Sequence, residues 1–289
     1  LESDIREMEE ILGSAARVRG IIVDELREIS KKYGQPRRSQ LLYASEMTEF
    51  SEEEKEEVPD YPCTFFFTAE GYFKKITPQS LRMSGEQKLK ERDRIIQTVE
   101  SSNAKDLLFF TAQGTVYKAK ASDFPDTKAS VMGDYVAGKL GFEEGETAFH
   151  MVVTADYSGM LVFFFENGKV AKVELSAYAT KTNRRKLVGA YSDKSPVVAI
   201  VQAPEDGEFM LTATSGRMLL VHTGAIAAKA TRNTIGVQVM TLKGRHLLQK
   251  VEPFTEGMVT KSNRYRTKTI PAAGALPLAE DIGEQLTLD

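Results

Sequence analysis

Basic residues recur at fixed distances from four glycines along the sequence. In three of four similar segments a lysine lies four residues after the glycine, at Lys75, Lys118 and Lys172. Further bases lie beside these positions or in the loops that follow them. Positive charges repeated in this way are suited to bind a row of phosphates. The candidate binding residues are Lys74, Lys75, Arg82, Lys88, Lys90, Arg92, Lys118, Lys120, Lys128, Lys169, Lys172, Lys181, Arg184, Arg185, Lys186, Arg217 and Arg232.

Charge is unevenly distributed along the chain. The formal net charge of the 289 residues is -3, yet residues 61–270 hold 29 basic and 21 acidic residues. Residues 44–60 carry a net charge of -7, and residues 271–289 carry -4. A basic body between acidic segments favours a polyanionic partner, and duplex DNA offers evenly spaced phosphates. The alternative is that these charges are only solvated faces.

Residues able to support catalysis or metal binding are few. The histidines His150, His222 and His246 are far apart and lack the spacing of metal ligands. Cys63 has no evident histidine partner and begins a phenylalanine-rich strand, which predicts burial. We therefore expect no catalytic residue, metal ion or cofactor in this chain.

One segment has the glycine and lysine spacing of a nucleotide phosphate-binding loop. Gly133, Gly138 and Lys139 match that pattern, but Leu140 stands where a serine or threonine would bind magnesium. The preceding strand and following helix of such a loop are not predicted here. We expect no nucleotide site at this segment.

The most informative feature is a fourfold repeat. The glycines Gly71, Gly114, Gly168 and Gly216 recur at intervals of roughly 50 residues, a period typical of repeat architectures. Each follows a polar residue and an apolar, aromatic-rich strand, and precedes a second apolar strand, which predicts four hairpins. The predicted core positions lie five residues before each glycine and ten residues after it. They are Phe66, Phe109, Phe163 and Leu211, and Leu81, Phe124, Tyr178 and Ile226.

A further strand-like run precedes each of the last three hairpins. These runs begin at Arg94, Ala148 and Pro196, and a fourth begins at His246. The fourth run predicts a degenerate fifth repeat whose hairpin turns at Gly257. Three or four strands in each unit of about 45 residues are typical of a propeller blade, so we predict a mainly β, β-propeller-like fold. A two-sheet sandwich is the alternative, although its turns usually lack such a long period.

The N-terminal segment is predicted to be helical. Apolar residues recur at helical spacing from Leu1 to Leu12 and from Val18 to Tyr33, with Ser14 as an N-cap between them. The acidic stretch that follows has no apolar periodicity and is predicted to be a linker. The predicted domains are a helical segment at 1–43, an acidic linker at 44–60, the repeat domain at 61–270 and an acidic flexible tail at 271–289.

The composition limits where in the cell this protein is expected to function. No apolar run approaches the ~18 residues that a membrane-spanning helix needs, and no signal peptide is evident. A single cysteine is consistent with a reducing compartment. We expect a cytoplasmic, nucleoid-associated protein.

The repeats resemble the C-terminal β-pinwheel domain of bacterial type IIA DNA topoisomerase A subunits, the gyrase and topoisomerase IV family. Gly71-Tyr-Phe-Lys-Lys75, Thr214-Ser-Gly-Arg-Met218 and Asn233-Thr-Ile-Gly-Val237 are similar to recurring family phrases. Ile29-Ser-Lys-Lys-Tyr-Gly34 resembles the helical end of the family's breakage-reunion region. The resemblance covers most of residues 1–254.

The resemblance implies a division of labour within a larger enzyme. The catalytic tyrosine and the magnesium carboxylates would lie outside this chain, and ATP hydrolysis would belong to a B subunit. Double-stranded DNA and a second A subunit would complete the assembly. This chain would bind and bend DNA without chemistry of its own.

One departure from the family pattern bears on the enzyme type. Gyrase tails typically carry a Gln-Arg-Arg-Gly-Gly-type basic box after the first hairpin, where this chain has residues 81–90 with scattered bases. The missing box favours a topoisomerase IV-like bending tail. A gyrase wrapping domain and a propeller-type protein-interaction module are the alternatives.

Overall fold

The computed structural model describes residues 1–35, 58–83, 86–180 and 185–281. The chain forms two compact units, Leu1–Glu56 and Glu57–Asp289. Most of the predicted acidic linker, residues 44–57, lies outside the described residues.

The described part of the first unit, residues 1–35, contains two helices, as the apolar spacing predicts. Helix α1 spans Glu2–Leu12 and helix α2 spans Ala15–Tyr33. The Ser14 side chain accepts a hydrogen bond from the Arg17 backbone N–H, which confirms the predicted N-cap. Helix α2 ends where the Gly34 N–H donates to the Ser30 carbonyl.

The second unit is built mainly of short strands. The strands are β1 Pro62–Thr68, β2 Tyr72–Ile76, β3 Ile95–Ser102, β4 Asp106–Thr111, β5 Thr115–Lys120, β6 Asp134–Tyr135, β7 Ala148–Thr154, β8 Met160–Phe165, β9 Lys169–Glu174, β10 Lys186–Val188, β11 Val197–Ala203, β12 Glu208–Ala213, β13 Met218–His222, β14 Ala228–Lys229, β15 Val237–Gln238 and β16 Leu248–Pro253. Among the described residues of this unit, three short α-helices accompany the strands: α3 Pro78–Met83, α4 Val136–Leu140 and α5 Ser262–Tyr265.

These strands form four sheets, which we call blades 1 to 4. In strand order, blade 1 is β3-β1-β2-β6, blade 2 is β7-β4-β5-β10, and blade 4 is β16-β12-β13. Blade 3 is β11-β8-β9, and both β14 and β15 pair with β9. Each predicted hairpin supplies the two middle strands of one blade. The predicted mainly β, propeller-like fold is confirmed.

The hairpin turns have the predicted backbone conformation. Gly71, Gly114, Gly168 and Gly216 all have positive φ, between 73° and 83°. Glycine adopts this conformation without the steric cost that a side chain would add.

The middle strands of blades 2 and 3 are apolar on both faces because each of these blades packs between two others. The outward faces of blades 1 and 4 are covered by smaller clusters instead. In β4, Leu107 and Phe109 pack toward blade 1, whereas Leu108 and Phe110 pack toward blade 3. A similar cluster joins blades 3 and 4 through Phe164 and other side chains. Of the eight predicted core positions, seven are buried, and Leu81 is partly buried.

The strands β3, β7, β11 and β16 form the inner edges of the blades. The Gln97 side chain on β3 donates to the Met151 carbonyl at 2.8 Å and accepts from the Met151 N–H at 2.6 Å. The Gln202 side chain on β11 donates to the Val153 carbonyl at 3.0 Å. Both partners lie on β7, so side-chain amides connect the backbones of successive inner strands.

The prediction of a fifth repeat is wrong for the described residues. The run from His246 forms β16, which pairs with β12 and completes blade 4. After the turn at Gly257 the chain forms the short helix α5 and then follows β13, where Met218 pairs with Ala275. The inner strands therefore complete the preceding hairpin rather than begin the next repeat.

The end of the chain is part of the domain as far as Asp281. The Asp281 carboxylate accepts hydrogen bonds from Thr260 and from the Tyr265 hydroxyl. The structure thus places residues 271–281 against blade 4, although the sequence predicts a tail from residue 271. Residues 282–289 lie outside the described residues.

Candidate nucleic-acid interface

The outer edge of each of blades 1 to 3 is completed by chain from the next repeat. Strand β6, which follows the second hairpin, pairs with β2 of blade 1. Strand β10, which follows the third hairpin, pairs with β5 of blade 2. Strands β14 and β15 follow the fourth hairpin and pair with β9 of blade 3. The loops after two successive hairpins therefore meet along the outer edges, which we call the perimeter.

Three glycines allow later chain segments to approach the outer strands of blades 1, 3 and 4 closely. A Cβ atom on Gly133, Gly236 or Gly274 would lie 2.4, 2.5 or 2.6 Å from a carbonyl oxygen of the adjacent outer strand. All three have positive φ, so a side chain would add backbone strain as well. Sequence reasoning missed these positions, although each glycine lies just before a strand or bridge residue of the perimeter.

The lysines that recur four residues after the turn glycine are internal braces. The Lys75 ammonium donates to Asn103 and forms an ion pair with Asp126. Lys172 forms an ion pair with Asp206. Lys75 and Lys172 are 2% and 8% exposed, so their prediction as phosphate ligands conflicts with their burial. Both therefore lie outside the candidate interface.

Lys118, the third recurring lysine, is partly buried. Its ammonium donates to the Tyr178 carbonyl at 3.0 Å and to the Thr180 hydroxyl at 3.1 Å. Burial lowers the pKa of Lys118; the Asp106 carboxylate partly opposes this effect, and the Arg232 charge adds to it. In blade 4 the equivalent residue is the buried Leu220, which needs no polar partner.

Lys74 is also buried, with 1% of its surface exposed. Its ammonium donates to the carbonyls of Lys88 and Ala129, at 2.7 and 3.1 Å, and to the Gln87 side chain at 3.3 Å. Burial lowers the pKa of Lys74, and the positive charge of Lys88 adds to the effect. This lysine does not offer its charge to a solvent-side ligand.

Most of the other predicted bases are exposed on the perimeter loops or at turns. Exposed residues are Arg82, Lys88, Lys90, Arg92, Lys120, Lys128, Arg185 and Arg217, and partly exposed ones are Lys169, Lys186 and Arg232. Two of them are partly neutralised, since Lys90 pairs with Glu70 at 2.7 Å and Lys186 pairs with Glu143. Lys181 and Arg184 lie outside the described residues.

Two groups of bases are brought together by the strand exchange. The Lys88 N–H donates to the Ala129 carbonyl at 2.8 Å, which places Lys88 beside the loop that carries Lys128. At the edge of blade 2, the Lys118 N–H donates to the Arg185 carbonyl at 2.6 Å. These contacts join bases from successive repeats that are distant in sequence.

Arg232 belongs to the second group. Its guanidinium donates to the Ala177 carbonyl at 3.0 Å, and its centre lies 6.0 Å from the Tyr178 ring centroid. The contact with the ring face fixes the position of a charge that would otherwise be mobile.

Blade 4 carries exposed bases that are absent from the predicted set. Lys243 and Arg245 flank Gly244, whose φ is +64°. Arg264, also absent from the set, donates to the Leu276 carbonyl, near the predicted Arg217, which donates to the Gly274 carbonyl. The sequence Lys243-Gly244-Arg245 is typical of an exposed basic turn, and this signal could have identified both bases.

The described residues contain no group of three or more histidine, cysteine, aspartate or glutamate side chains placed to hold a metal ion. Cys63 is buried, as predicted, and burial raises the pKa of its thiol to about 11. At the segment with phosphate-loop spacing, Lys139 forms an ion pair with Asp134 at 2.7 Å. In the part of the chain that the structure describes, no helix combines the length and apolarity needed to cross a membrane.

The fold defines a class of protein, a four-bladed β-propeller-like domain with exchanged edge strands. A family model described as the DNA gyrase C-terminal domain, beta-propeller, matches residues 105–153 and 208–255. These two matches contain the hairpins and inner strands of blades 2 and 4.

Curated relatives carry the names of two enzymes. The DNA gyrase A subunit of Mycolicibacterium smegmatis is 30% identical over 282 residues, which cover 93% of this chain and 33% of the relative. The DNA topoisomerase 4 A subunit of Bacillus subtilis is 28% identical over 192 residues, covering 65% and 24%. The chain thus spans about a third of the length of the gyrase relative that it matches along most of its own length.

Solved structures show the same fold. The C-terminal domain of DNA topoisomerase IV has a TM-score of 0.60 and 23% identity, with 69% of this chain and 63% of that chain covered. The E. coli ParC C-terminal domain has a TM-score of 0.53 and 16% identity, with coverage of 66% and 78%. The resemblance to the C-terminal domain of type IIA topoisomerase A subunits, in the gyrase and topoisomerase IV family, is confirmed.

Proposed function

We propose that this chain binds duplex DNA along its perimeter and bends it, as the C-terminal region of a type IIA topoisomerase A subunit. The observation that carries the proposal is the gathering of exposed bases from successive repeats at the outer edges. Lys88 is held beside the Lys128 loop at blade 1. At blade 2, the Lys118 backbone binds Arg185, and both the Lys118 ammonium and Arg232 contact Tyr178. Groups of exposed charges at successive blades suit a polyanion that follows the perimeter.

The expected binding is electrostatic and only weakly dependent on base sequence. Lysine and arginine contacts to phosphates release bound counterions, so affinity falls as salt rises. Such contacts position the duplex without reading its bases. In the described part of the perimeter there is no long helix or ribbon for insertion into the major groove.

The proposal favours a topoisomerase IV-like enzyme over a gyrase. Residues 81–90 contain three bases, Arg82, Lys88 and Lys90, and Lys90 is paired with Glu70. Few free charges therefore lie where a gyrase carries its basic box. With less anchoring at blade 1, we expect bending rather than complete wrapping; a gyrase wrapping domain is the alternative.

The rest of the proposed enzyme would perform the chemistry. The cleavage tyrosine and magnesium carboxylates would belong to other parts of the A subunit, whereas a B subunit would hydrolyse ATP. This region would present a duplex to the cleavage gate in a cytoplasmic, nucleoid-associated enzyme. It would need no cofactor of its own.

A salt-titrated binding assay with paired charge variants tests DNA binding. Replacing Lys88, Lys128 and Arg185 by alanine removes three perimeter charges. We expect the slope of log affinity against log salt to become less steep by about 2 to 3, because each lost phosphate contact contributes about 0.9.

The matched control removes three charges on or beside inner strands, at Lys105, Lys194 and Lys250. It changes net charge equally and should leave the slope nearly unchanged. Equal effects of the two triple variants would refute a perimeter path. An absence of DNA binding by the unsubstituted chain at low salt would instead favour a protein-interaction module.

A further inference from the structure

We infer that Lys74 is a positioning residue that holds two DNA-binding loops together at the perimeter of blade 1. This inference rests on the proposed function. It concerns the loop at 86–90, which follows the first hairpin, and the loop at 126–131, which follows the second. The sequence places Lys74 among the phosphate ligands, whereas its side chain points into the protein.

The geometry is that of a tether between loops. Lys74 lies on β2, and its one ammonium group donates to the Lys88 carbonyl in the first loop and the Ala129 carbonyl in the second. The Lys88 N–H also donates directly to the Ala129 carbonyl. One backbone hydrogen bond and one shared ammonium group thus join loops that belong to two successive repeats.

The tether determines where two exposed cations lie. The carbonyl of Lys88 accepts from Lys74, and the side chain of Lys88 itself is exposed. Lys128 directly precedes Ala129, whose carbonyl also accepts from Lys74. Each of these side chains therefore projects from a fixed piece of backbone. Neither forms an ion pair with any residue that the structure describes, so both charges are available to phosphates.

Burial makes the tether sensitive to substitution. The Lys74 ammonium has only uncharged acceptors. An uncharged side chain would remove this donor from the buried Ala129 carbonyl and from the partly buried Lys88 carbonyl. The site is also tightly packed, because a Cβ atom on Gly133 would lie 2.6 Å from the Lys74 Cγ. A methionine keeps the length and apolar stem of the lysine and removes only the donor.

Another buried lysine offers a matched control. Lys172 is a brace of similar exposure, but it joins Asp206 and the Thr223 carbonyl and touches neither loop. Lys172→Met therefore reports the loss of a buried ammonium away from the two loops. Both variants should lower thermal stability.

The test is a double-mutant cycle in DNA affinity and in its salt slope. The proteins are the 289-residue chain, Lys74→Met, Lys88→Ala with Lys128→Ala, and the triple variant. The probe is a duplex of random sequence, at temperatures where every variant is folded by circular dichroism.

We expect Lys74→Met to make the salt slope less steep by about 1 to 2, with several-fold weaker binding at low salt. The double variant should lose about 2 in slope. The triple variant should match the double variant, because Lys74 acts only through the two loops. Lys172→Met should retain the slope of the unsubstituted chain.

Each contrary outcome has a distinct meaning. If the unsubstituted chain binds no DNA, the proposed function itself fails. If it binds DNA but Lys74→Met keeps the full slope, or the three-residue variant shows fully additive losses, the positioning role is refuted. If the double variant binds normally, the two loops do not contact DNA and the inference is also refuted.

Discussion

Acidification should destabilise the propeller-like unit through His150. This partly buried residue lies on the inner strand β7, where partial removal from water lowers its pKa from 6.5 to about 4. In the unfolded chain the His150 ring is therefore protonated below about pH 6.5, whereas in the folded chain it stays neutral until about pH 4. For a histidine with a lowered folded pKa, stability is lost as pH falls from 6.5 toward 4.

The size of the effect follows from the two pKa values. At pH 5 the linkage relation gives a loss of ~2 kcal/mol relative to neutral pH, and full protonation costs ~3 kcal/mol. The assay is urea unfolding at pH 7.5 and pH 5.0, compared with His150→Gln, which has no ionising ring. The variant should lose ~2 kcal/mol less than the unsubstituted chain over this interval. Equal losses in the two proteins would refute a neutral His150 side chain with a lowered pKa.

Three further predictions concern the edge strands, the core and the end of the chain. Gly236→Ala places a Cβ 2.5 Å from the Val170 carbonyl oxygen and should lower the free energy of unfolding by more than ~2 kcal/mol. Gly244→Ala, with open space around it, should cost ~1 kcal/mol. Equal losses of the two variants in chemical denaturation would contradict the close approach at Gly236. Phe163→Ala removes a fully buried ring between blades 2 and 3 and should cost ~3–5 kcal/mol, and a loss below ~1 kcal/mol would be incompatible with that packing. If acidic residues near the C-terminus compete with DNA for the perimeter, deletion of residues 282–289 should tighten DNA binding. The deletion keeps the Asp281 contacts. An unchanged affinity would refute this competition.

The hairpins were predictable because their signals are local. An aromatic-rich strand, a polar residue and a glycine of positive φ follow one another directly in the sequence, as at Gly114 and Gly168. The same period correctly located the inner strands. Their partners were not predictable, because a run between two hairpins can pair with either one. Stacking of blades, a tertiary effect, assigns β3 to the first hairpin.

The edge strands carry too little sequence to be recognised. Strands β6, β14 and β15 have two residues each, so no periodicity marks them. Their pairing depends on a close backbone approach that a lone glycine in the sequence does not reveal.

The exposure of the loop bases was predictable, whereas their DNA contacts stay a prediction. Lys88, Lys128 and Arg185 are exposed, as lysine and arginine usually are. The recurrence of lysine led to a wrong prediction at Lys75 and Lys172, because a lysine that recurs in successive blades can equally form an internal ion pair in each of them. Their partners, Asn103 and Asp206, lie outside the hairpin that carries each lysine, so sequence spacing does not expose the pairing.

The most direct test of the central proposal is ligation of nicked circular DNA with increasing amounts of this chain, followed by separation of topoisomers. A gel shift at matched salt concentrations establishes binding in the same samples. We predict salt-sensitive binding with little change in linking number, as expected of a bending tail. A progressive linking-number shift would contradict the topoisomerase IV-like assignment and favour gyrase-type wrapping. Failure to bind at low salt would contradict DNA binding altogether.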